Sequence, residues 1–562
     1  MTLHPAWLLL AGAALVPLLP ERLRGAGSLV LPLAALWLVV QLPDGAGASV
    51  ALAGLELQLL RVDALARLFA GIFCIACFIG AVYALHLRDA VQTAALLSYA
   101  GAAVGGALAG DLITLLLFWE LTGITSVLLI WARRSERAYR AGMRYLLAQA
   151  TSGMLLLGGI VLRHQSGAGI EFGHIGVDAP GGVLILLGFG IKGAFPILHA
   201  WLQDTYPEAT IVGTVVLSAF TTKLAIYALA RGFAGTEMLI WVGAVMTCFP
   251  IFYAVIENDL RRVLAYSLIN QLGFMVVGIG IGGAMGVNGA AAHAVADILF
   301  KGLLFMSMGA VLLRTGTING SELGGLYKSM PQTTALCIVG AASISAFPLF
   351  SGFVTKSMIM TAVAEEHRLV IWLMLLFASA GVFHHAGIKI PFFAFFAHDR
   401  GYRVEEAPLN MRLAMLVAAA ACILIGCVPE LLYRCLPYPV DYVPYTTAHV
   451  VNQTQLLFFS AMAFTVLMRT GIYPPELRSV NLDFDWFYRR ALPTGARAIV
   501  RSLSALRDHL GAPVLHALRR SLQAGTVPLR AEGLVAGVWT TSTMILWTVL
   551  LLGLFLLAGL LR

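Results

Sequence analysis

Apolar residues come in long blocks along the chain, separated by short polar stretches. Each block is about twenty residues long, which is the length that an α-helix needs to cross roughly 30 Å of hydrocarbon. The blocks are continuous rather than alternating, and backbone amides in lipid must be satisfied within a segment, so helices are favoured over strands. About sixteen blocks begin near residues 4, 27, 64, 92, 111, 141, 181, 210, 238, 262, 287, 333, 370, 409, 453 and 538. The pattern predicts an all-α polytopic membrane protein with about 15–16 transmembrane helices.

Composition excludes a soluble domain. Of the 562 residues, 59% are hydrophobic and 12% are charged, whereas a soluble domain carries roughly 25% charged residues. Cys74 and Cys77 form a CxxC pair, but it lies inside an apolar block without a second pair, which favours packing over a redox or metal site. Since no metal or cofactor motif appears, we expect neither.

The formal net charge of +8 indicates membrane topology. If the N-terminus faces outward, basic residues fall almost entirely in loops on one side, which is typical of the cytoplasmic side. These loops contain Arg22, Arg24, Arg133, Arg134, Arg137, Arg140, Arg144, Arg261 and Arg262, followed by a basic stretch from Arg469 to Arg530. The opposite loops hold single arginines such as Arg163, Arg231, Arg368 and Arg434. Because the abundance of Arg, Ala, Gly and Leu indicates a bacterial genome of high GC content, we predict a multi-pass protein of a bacterial inner membrane and no nucleic-acid partner.

The positions of the lysines are unusual. The six lysines are Lys192, Lys223, Lys301, Lys328, Lys356 and Lys389, and all except Lys328 lie inside apolar blocks. Each intramembrane lysine costs about 3 kcal/mol on insertion scales, so five need compensation. A buried lysine can exchange a proton near neutral pH, whereas an arginine stays charged. The pattern favours a proton path.

Other ionisable residues share these blocks. Glu120 ends the run LLLFWE, and His293, Asp297 and Lys301 are spaced four apart, which places them on one helix face. We expect Asp297 and Lys301 to meet across one turn. Asp297 is then either a second switchable partner or a simple neutraliser of Lys301. The alternative for the whole series is that each charge neutralises a neighbour and holds helices together.

Two of the lysines lie next to predicted helix breaks. Pro196 follows Lys192 in GFGIKGAFPILHAW, and Pro348 precedes Lys356 in ASISAFPLFSGFVTK. Proline opens the helical backbone, which membranes tolerate mainly where the gap lines a polar cavity. The tripeptide Ala-Phe-Pro occurs at both breaks, five helices apart, and an odd number of helices inverts the second copy. Paired interrupted segments in two inverted halves indicate an ion site.

Five stretches resemble one family in sequence and in order. These are FWELTGITSVLLI, IKGAFPILHAWLQDTYPEAT, LSAFTTKLAIYAL, DILFKGLLF and FPLFSGFVTKSMI. They resemble the antiporter-like subunits shared by Mrp cation/proton antiporters and respiratory complex I, over roughly residues 90 to 400. Within that family, the local sequence is most similar to the D-type Mrp subunit. The resemblance implies two inverted five-helix repeats. In each repeat one membrane span is broken, namely the seventh span of the chain, which contains Pro196, and the twelfth, which contains Pro348.

The resemblance also implies roles for individual residues. Glu120 would pair with Lys192, and Lys223 would be the lysine that connects the two repeats. His293 and Lys301 would lie on the eleventh membrane span, and Lys356 would be the terminal lysine of the path. Two positions differ: Asp297 stands where the family commonly has histidine, and Ser357 stands where quinone-linked members often have an acidic residue. Four further residues are possible accessory groups, namely His199, His384, His385 and Lys389.

The chain is predicted to have six segments. The N-terminal helices occupy residues 1–90, the first repeat 91–235, the second repeat 236–400 and further helices 401–470. In the basic segment 471–535, Ile499, Leu503, Leu506, Leu510, Leu518 and Leu522 fall on one face, which predicts an amphipathic helix on the cytoplasmic membrane surface. A plain basic linker is the alternative. A last spanning helix occupies 536–562.

The functional hypothesis is a proton-translocating subunit of a multisubunit Na⁺ or K⁺/proton antiporter. Its partners would be other membrane subunits and the lipid bilayer. One alternative is the membrane subunit of a quinone- or hydrogenase-linked redox complex, and another is the membrane half of a two-component bicarbonate uptake system. The chain itself is not expected to be an enzyme unless it belongs to such a redox complex.

Topology can be tested by cysteine labelling. Arg137→Cys and Arg519→Cys should react with a membrane-impermeant reagent only from the cytoplasmic side, because positive loops stay inside. Glu171→Cys should react only from the other side. Labelling of Arg137→Cys from outside would contradict both the orientation and the inverted repeats.

Overall fold

The computed structural model describes residues 3–52, 54–477, 481–505, 519–521, 545–552 and 554. It separates into two units, one ending at Asn481 and the other beginning at Leu482. The helices of the first unit are α1 Pro5–Leu15, α2 Glu21–Gln41, α3 Ala64–Ala84, α4 Ala90–Leu108, α5 Leu112–Trp131, α6 Glu136–Gln165, α7 Gly182–Lys192, α8 Ala200–Thr205, α9 Ile211–Leu217, α10 Thr221–Gly232, α11 Glu237–Ile256, α12 Leu260–Ile281, α13 Gly283–Thr315, α14 Pro331–Ile344, α15 Ser351–Glu365, α16 Leu369–Val382, α17 Lys389–Pro391, α18 Leu409–Cys427, α19 Glu430–Tyr433 and α20 Thr447–Thr470.

The predicted all-α polytopic class is confirmed. Within the described residues, 12 helices are long and apolar enough to cross a membrane, and shorter apolar helices occupy Pro5–Leu18, Gly182–Lys192 and Pro331–Ile344. The first fifteen predicted blocks each coincide with a helix. The predicted last span, 536–562, falls mostly outside the described residues. Residues 545–552 of this span are described, and they are helical.

Side-chain caps start several spans. Asp63, Asp89, Asp111, Ser135 and Asp259 each accept a hydrogen bond from a backbone amide in the first turn of α3, α4, α5, α6 and α12. The first turn of a helix leaves its amides without intrahelical partners, and a short polar side chain at its start supplies one. These residues therefore define where each apolar block begins.

A β-hairpin that the sequence analysis did not predict lies between α2 and α3. Strand β1, Gly47–Leu52, pairs antiparallel with β2, Leu55–Arg61. Gln58 of β2 donates its amide to Asp111 Oδ2 at 2.8 Å, and its carbonyl accepts from the Gly110 amide at 2.9 Å. The hairpin therefore contacts the loop between α4 and α5.

Both predicted helix breaks are present, and their backbones are alike. Ala194 and Ala346 both have φ of 57°, and three residues later Ile197 and Leu349 have φ of 75° and 74°. Such left-handed values cost about 1–3 kcal/mol at non-glycine residues. The same strained turn therefore interrupts α7–α8 and α14–α15.

A second set of backbone contacts also recurs. Asp111 forms an isolated antiparallel bridge with Glu171, and Asp259 forms one with Asn319. The first amide of α5 donates to the Ile170 carbonyl at 2.9 Å, and the first amide of α12 donates to the Ile318 carbonyl at 3.1 Å. Because α5 and α12 are five spans apart, alternating crossings give them opposite directions. The domain boundaries at 90, 235 and 400 stay predictions.

The interior of the first unit lies around α12 and α13. These helices are almost entirely buried, whereas α20 exposes the apolar side chains of Phe458, Met462 and Val466. An apolar outer surface around a buried centre is expected of a lipid-embedded bundle. The ionisable side chains in the middle of α13, those of His293, Asp297 and Lys301, are consequently fully buried.

The second unit is described in part. A π-helical turn occupies Phe487–Ala491, and residues 492–505 are helical. Ile499 and Leu503, two residues of the predicted amphipathic face, are exposed. Leu506, Leu510, Leu518 and Leu522 lie outside the described residues, so the amphipathic helix stays a prediction.

Candidate functional site

The predicted ionisable residues are buried within the helices of the two repeats. Glu120 is half-buried on α5, and the other six are fully buried: Lys192 on α7, Lys223 on α10, His293, Asp297 and Lys301 on α13, and Lys356 on α15. A charge in such an environment requires partners. Their contacts therefore define the site.

Lys192 is held by α5. Its ammonium donates to the Trp119 carbonyl and, at 2.8 Å, to the Thr122 hydroxyl. The same Nζ lies 4.5 Å from the centre of the Trp119 ring, within the range of a cation–π interaction. A carbonyl, a hydroxyl and an aromatic face thus surround the ammonium.

The Glu120 side chain starts from the same turn of α5, between Trp119 and Thr122. Its Oε1 is buried and accepts no hydrogen bond within the described residues. The carboxylate lies against Gly153 of α6, where an added Cβ would overlap it. The Lys192 ammonium acts on this carboxylate electrostatically, while both hydrogen bonds of that ammonium go to neighbours of Glu120.

Hydroxyl groups extend from Lys192 toward Lys223. Thr122 and Ser126 are one turn apart on α5, and Ser126 Oγ lies 2.7 Å from Tyr145 Oη. Tyr145 Oη lies 3.5 Å from Thr221 Oγ1, two residues before Lys223. Hydroxyls can both donate and accept, so this arrangement suits proton movement.

Lys223 forms an ion pair with Asp297. The distance from Lys223 Nζ to Asp297 Oδ2 is 2.5 Å, and neither side chain is exposed. Lys223 also donates to the Ser218 carbonyl at 2.9 Å. The expected contact of Asp297 with Lys301 is wrong: Lys301 donates instead to Ser267 Oγ at 2.8 Å. The reason is tertiary, because α10 brings a lysine of the first repeat to the same face of α13.

His293 connects α12 to α15. Its Nδ1 lies 3.0 Å from Thr355 Oγ1, and its Nε2 lies 3.1 Å from Gln271 Oε1. Gln271 donates onward to Asn270 Oδ1 at 2.6 Å. The imidazole therefore bridges two spans through both ring nitrogens.

Lys356 reaches back to the second break. Its ammonium donates to the Ile344 carbonyl at 2.9 Å and lies 5.1 Å from the centre of the Phe274 ring. The break between α14 and α15 leaves this carbonyl without its intrahelical amide. Pro348 thus opens an acceptor that Lys356 occupies, as Pro196 opens the turn after Lys192.

The four accessory candidates lie in two other places. His199 lies in the first break, with its ring 4.6 Å from the Phe249 ring. His384, His385 and Lys389 lie in the span that continues from α16, where Phe383–Ile388 is π-helical. These three lie apart from the hydroxyl series of the first repeat.

Sequence reasoning missed the neutral polar residues of the site. Thr122 accepts a hydrogen bond from Lys192, Ser126 contacts Tyr145, and Gln271 and Thr355 hold His293. Their only signal was the occurrence of neutral polar residues inside apolar blocks, with Thr122 and Ser126 four apart. Within the described ranges, no cluster of His, Cys, Asp and Glu is arranged to hold a metal ion.

Comparison with known proteins decides the family. The model of the family described as NADH:quinone oxidoreductase/Mrp antiporter, transmembrane, matches residues 109–397, just over half of the chain. The chain belongs to this family. The matched range contains every residue of the series from Glu120 to Lys356.

Two relatives in this family have names that point to different roles. The chain is 31% identical over 383 residues to the Na(+)/H(+) antiporter A-subunit of Alkalihalophilus pseudofirmus, covering 60% of the chain and 48% of that protein. It is 28% identical over 353 residues to hydrogenase-4 component B of Escherichia coli, covering 55% of the chain and 52% of that protein. The matches thus span about half the length of these relatives.

Solved structures of membrane complexes share the fold. A chain of the Mrp complex from Dietzia sp. DQ12-45-1b superposes with a TM-score of 0.78 at 24% identity, covering 98% of this chain and 65% of that one. A chain of the archaeal membrane-bound sulfane sulfur reductase superposes with a TM-score of 0.70 at 20% identity, covering 97% and 99%. Both likenesses show the helical fold.

The position of Glu120 can be tested through Gly153. Gly153→Ala should displace the carboxylate from α6 and reduce proton transport about 10-fold to 100-fold, because misplacing a reacting group by about an ångström has such effects. Gly158→Ala on the same helix is the control, since its Cβ would make an ordinary contact of 3.5 Å with Leu184. Transport should be measured with a pH-sensitive dye in vesicles. Equal rates for both variants would contradict a positional role for Glu120.

The Lys223–Asp297 pair can be tested by a double-mutant cycle. Asp297→Asn should destabilise the protein by about 3–5 kcal/mol, since it leaves a buried ammonium without its counter-ion. Combined with Lys223→Met, the loss should be much smaller than the sum, as expected of side chains in contact. Thermal unfolding of the purified protein measures each variant. A larger coupling of Asp297→Asn with Lys301→Met than with Lys223→Met would contradict the pairing.

Proposed function

We propose that the chain is the proton-translocating subunit of a multisubunit Na⁺ or K⁺/proton antiporter in a bacterial inner membrane. The observation that carries the proposal is the series of buried lysines, which continues from the first repeat to the second through the Lys223–Asp297 pair. The antiporter name of a relative at 31% identity supports the choice of activity.

The proposed path uses protonation of successive lysines. Lys192 takes up a proton when a half-channel opens, and Glu120 moves between a position near its ammonium and the position against Gly153. The charge then passes along the hydroxyls of Thr122, Ser126 and Tyr145 toward Lys223. Moving a counter-charge away from a buried ammonium favours release of its proton. Lys301 and Lys356 complete the path.

The second half of the path is arranged around Asp297. This carboxylate contacts Lys223 and acts electrostatically on both Lys301 and Lys356. Protonation of Lys223 would weaken the electrostatic attraction of Asp297 for Lys301 and Lys356. His293, bonded to Thr355 beside Lys356, offers a group that can take a proton on one nitrogen and release one from the other.

A redox-driven complex is the second candidate. It is favoured by the name of a relative at 28% identity, hydrogenase-4 component B. The fold is compatible with such a complex, since the likeness to a chain of the sulfane sulfur reductase extends over 97% of this chain and 99% of that one. In that case electron transfer in other subunits would drive the same lysine series.

The two candidates differ in their partners. Purification of the tagged chain from its own cells should recover small membrane subunits and no iron–sulfur or flavin proteins if the complex is an antiporter. The purified complex should then acidify or alkalinise vesicles only when a gradient of Na⁺ or K⁺ is imposed. Recovery of redox subunits, with ion-independent proton flux driven by an electron donor, would establish the second candidate.

The first repeat provides the direct test of the path. Lys192→Ala and Glu120→Gln should each reduce proton transport by about 100-fold or more, because each removes a proton-exchanging group. Lys192→Arg should fail as well, since a guanidinium does not release its proton. Lys328→Ala is the matched control, as Lys328 is exposed and paired with Asp399 at 2.8 Å. Near-normal transport by an assembled Lys192→Ala complex would overturn the proposed path.

A further inference from the structure

A buried ion pair lies outside the series from Glu120 to Lys356. After α20 the chain turns at Gly471 and the Tyr473 amide donates to the Leu467 carbonyl at 3.1 Å. Three residues later, Glu476 Oε1 lies 2.9 Å from Lys389 Nζ. The Lys389 side chain is fully buried and that of Glu476 is 7% exposed. A segment that follows the last described span of the first unit therefore supplies a carboxylate to the interior.

Hydrogen bonding of Lys389 does not require this carboxylate. Its ammonium also donates to the carbonyls of Ala254, Val255 and Glu257 at 3.2, 2.7 and 2.6 Å, where α11 ends. An ammonium has three N–H groups, so the three carbonyls alone can satisfy it, and a cation at a helix C-terminus is favourable. Glu476 contributes charge rather than the missing acceptor.

Further polar atoms between the spans have no protein partner. Tyr473 Oη, His384 Nε2 and His385 Nε2 are buried and, among the residues that the structure describes, accept or donate no hydrogen bond. The His384 and Tyr473 rings stack with centres 5.5 Å apart. Buried polar atoms without protein partners are commonly bonded to internal water. The region next to Glu476 is therefore suited to hold water.

His385 is the residue of this region on which a lysine of the series, Lys301, acts electrostatically. His385 precedes Lys389 by four residues, in the π-helical segment Phe383–Ile388, and π-turns occur frequently at functional sites. The groups that act electrostatically on His385 are Lys301, His384 and Lys389. Lys301 belongs to the proposed proton path, whereas Lys389 lies beside Glu257, which also pairs with Arg262 at 3.8 Å. Arg262 is one of the predicted cytoplasmic arginines.

We propose that Glu476, Lys389 and His385 form a proton branch between the cytoplasmic face and Lys301. This inference rests on the proposed function and assigns to it a second point of proton exchange. The O–H bond of protonated Glu476 breaks as an N–H bond forms on the neutral Lys389 amine. Lys389 then protonates one nitrogen of His385, and the other nitrogen releases a proton to Lys301, directly or through water.

The position of Glu476 suits the outer end of the branch. It lies beyond α20, and burial raises the pKa of its carboxyl above the usual value, although Lys389 opposes this effect. A raised pKa brings a carboxylic acid closer to exchange at neutral pH. The competing explanation is that Glu476 only anchors the segment after α20.

The test uses the complex purified with its native partners and reconstituted in vesicles. Glu476→Gln and Lys389→Gln should each lower proton transport by about tenfold or more, because each removes a proton-exchanging group. The double variant should assemble normally, and its proton transport should remain low. An anchoring role predicts the opposite, since two amides can bond to each other without an unpaired charge, and recovery of transport in the double variant would overturn the branch.

His385→Gln keeps the Lys389–Glu476 pair and therefore carries the test if the other variants fail to assemble. This variant should also lower proton transport by about tenfold or more. Asp399→Asn is the matched control for loss of an ion pair: hydrogen bonds from Arg403 and Lys328 hold the pKa of Asp399 below its usual range, so that exposed pair is intact throughout the assay. Normal transport by His385→Gln and Glu476→Gln beside inactive Lys192→Ala would reject the branch alone. Normal transport by all three would reject the proposed function as well.

Discussion

An ammonium buried among apolar helices needs acceptors or a counter-charge, and the contact of Lys223 with Asp297 meets this need across the junction of the two repeats. The other lysines of the series are satisfied without a carboxylate in contact, by carbonyls, hydroxyls or aromatic rings. Asp297 acts at longer range on Lys301 and Lys356 too. One carboxylate cannot fully compensate three ammonium groups at once. A protonated lysine in this region is therefore most stable next to Asp297. Movement of that positive charge away from Asp297 requires the other polar groups to stabilise it.

The broken helices provide many of those groups. Left-handed backbone at Ala194 and Ala346 interrupts the intrahelical hydrogen bonds, and each strained residue costs about 1–3 kcal/mol. The interruption exposes carbonyls at membrane depth, which is tolerated only where they find partners inside the protein. Lys356 is such a partner for the Ile344 carbonyl. The hydrogen bond between them satisfies the exposed carbonyl and the buried ammonium together, which offsets part of the cost of each.

The spans, the breaks and the buried lysines could be predicted because each depends on local sequence. Apolar block length determines the helices, and proline beside glycine determines the breaks. The hairpin was not predicted, since β1 carries no alternating apolar pattern, although β2 alternates from Leu55 to Leu59. The partner of Asp297 could not be predicted either. Spacing relates residues on one helix, such as Asp297 and Lys301, whereas Lys223 reaches Asp297 through the packing of α10 on α13.

The repeats share a backbone and differ in their charges. The bridges at Asp111 and Asp259 are 148 residues apart, and the same offset matches Gly153 on α6 with Lys301 on α13. In the first repeat the absence of a side chain at 153 makes room for Glu120. In the second, a lysine stands at the matching position. The breaks are 152 residues apart, which matches Lys192 with Ile344, and there the Lys356 ammonium arrives from the other side of the break. The repeated backbone therefore does not determine which charge stands at a matched position, and each half holds its ammonium groups against different neighbours.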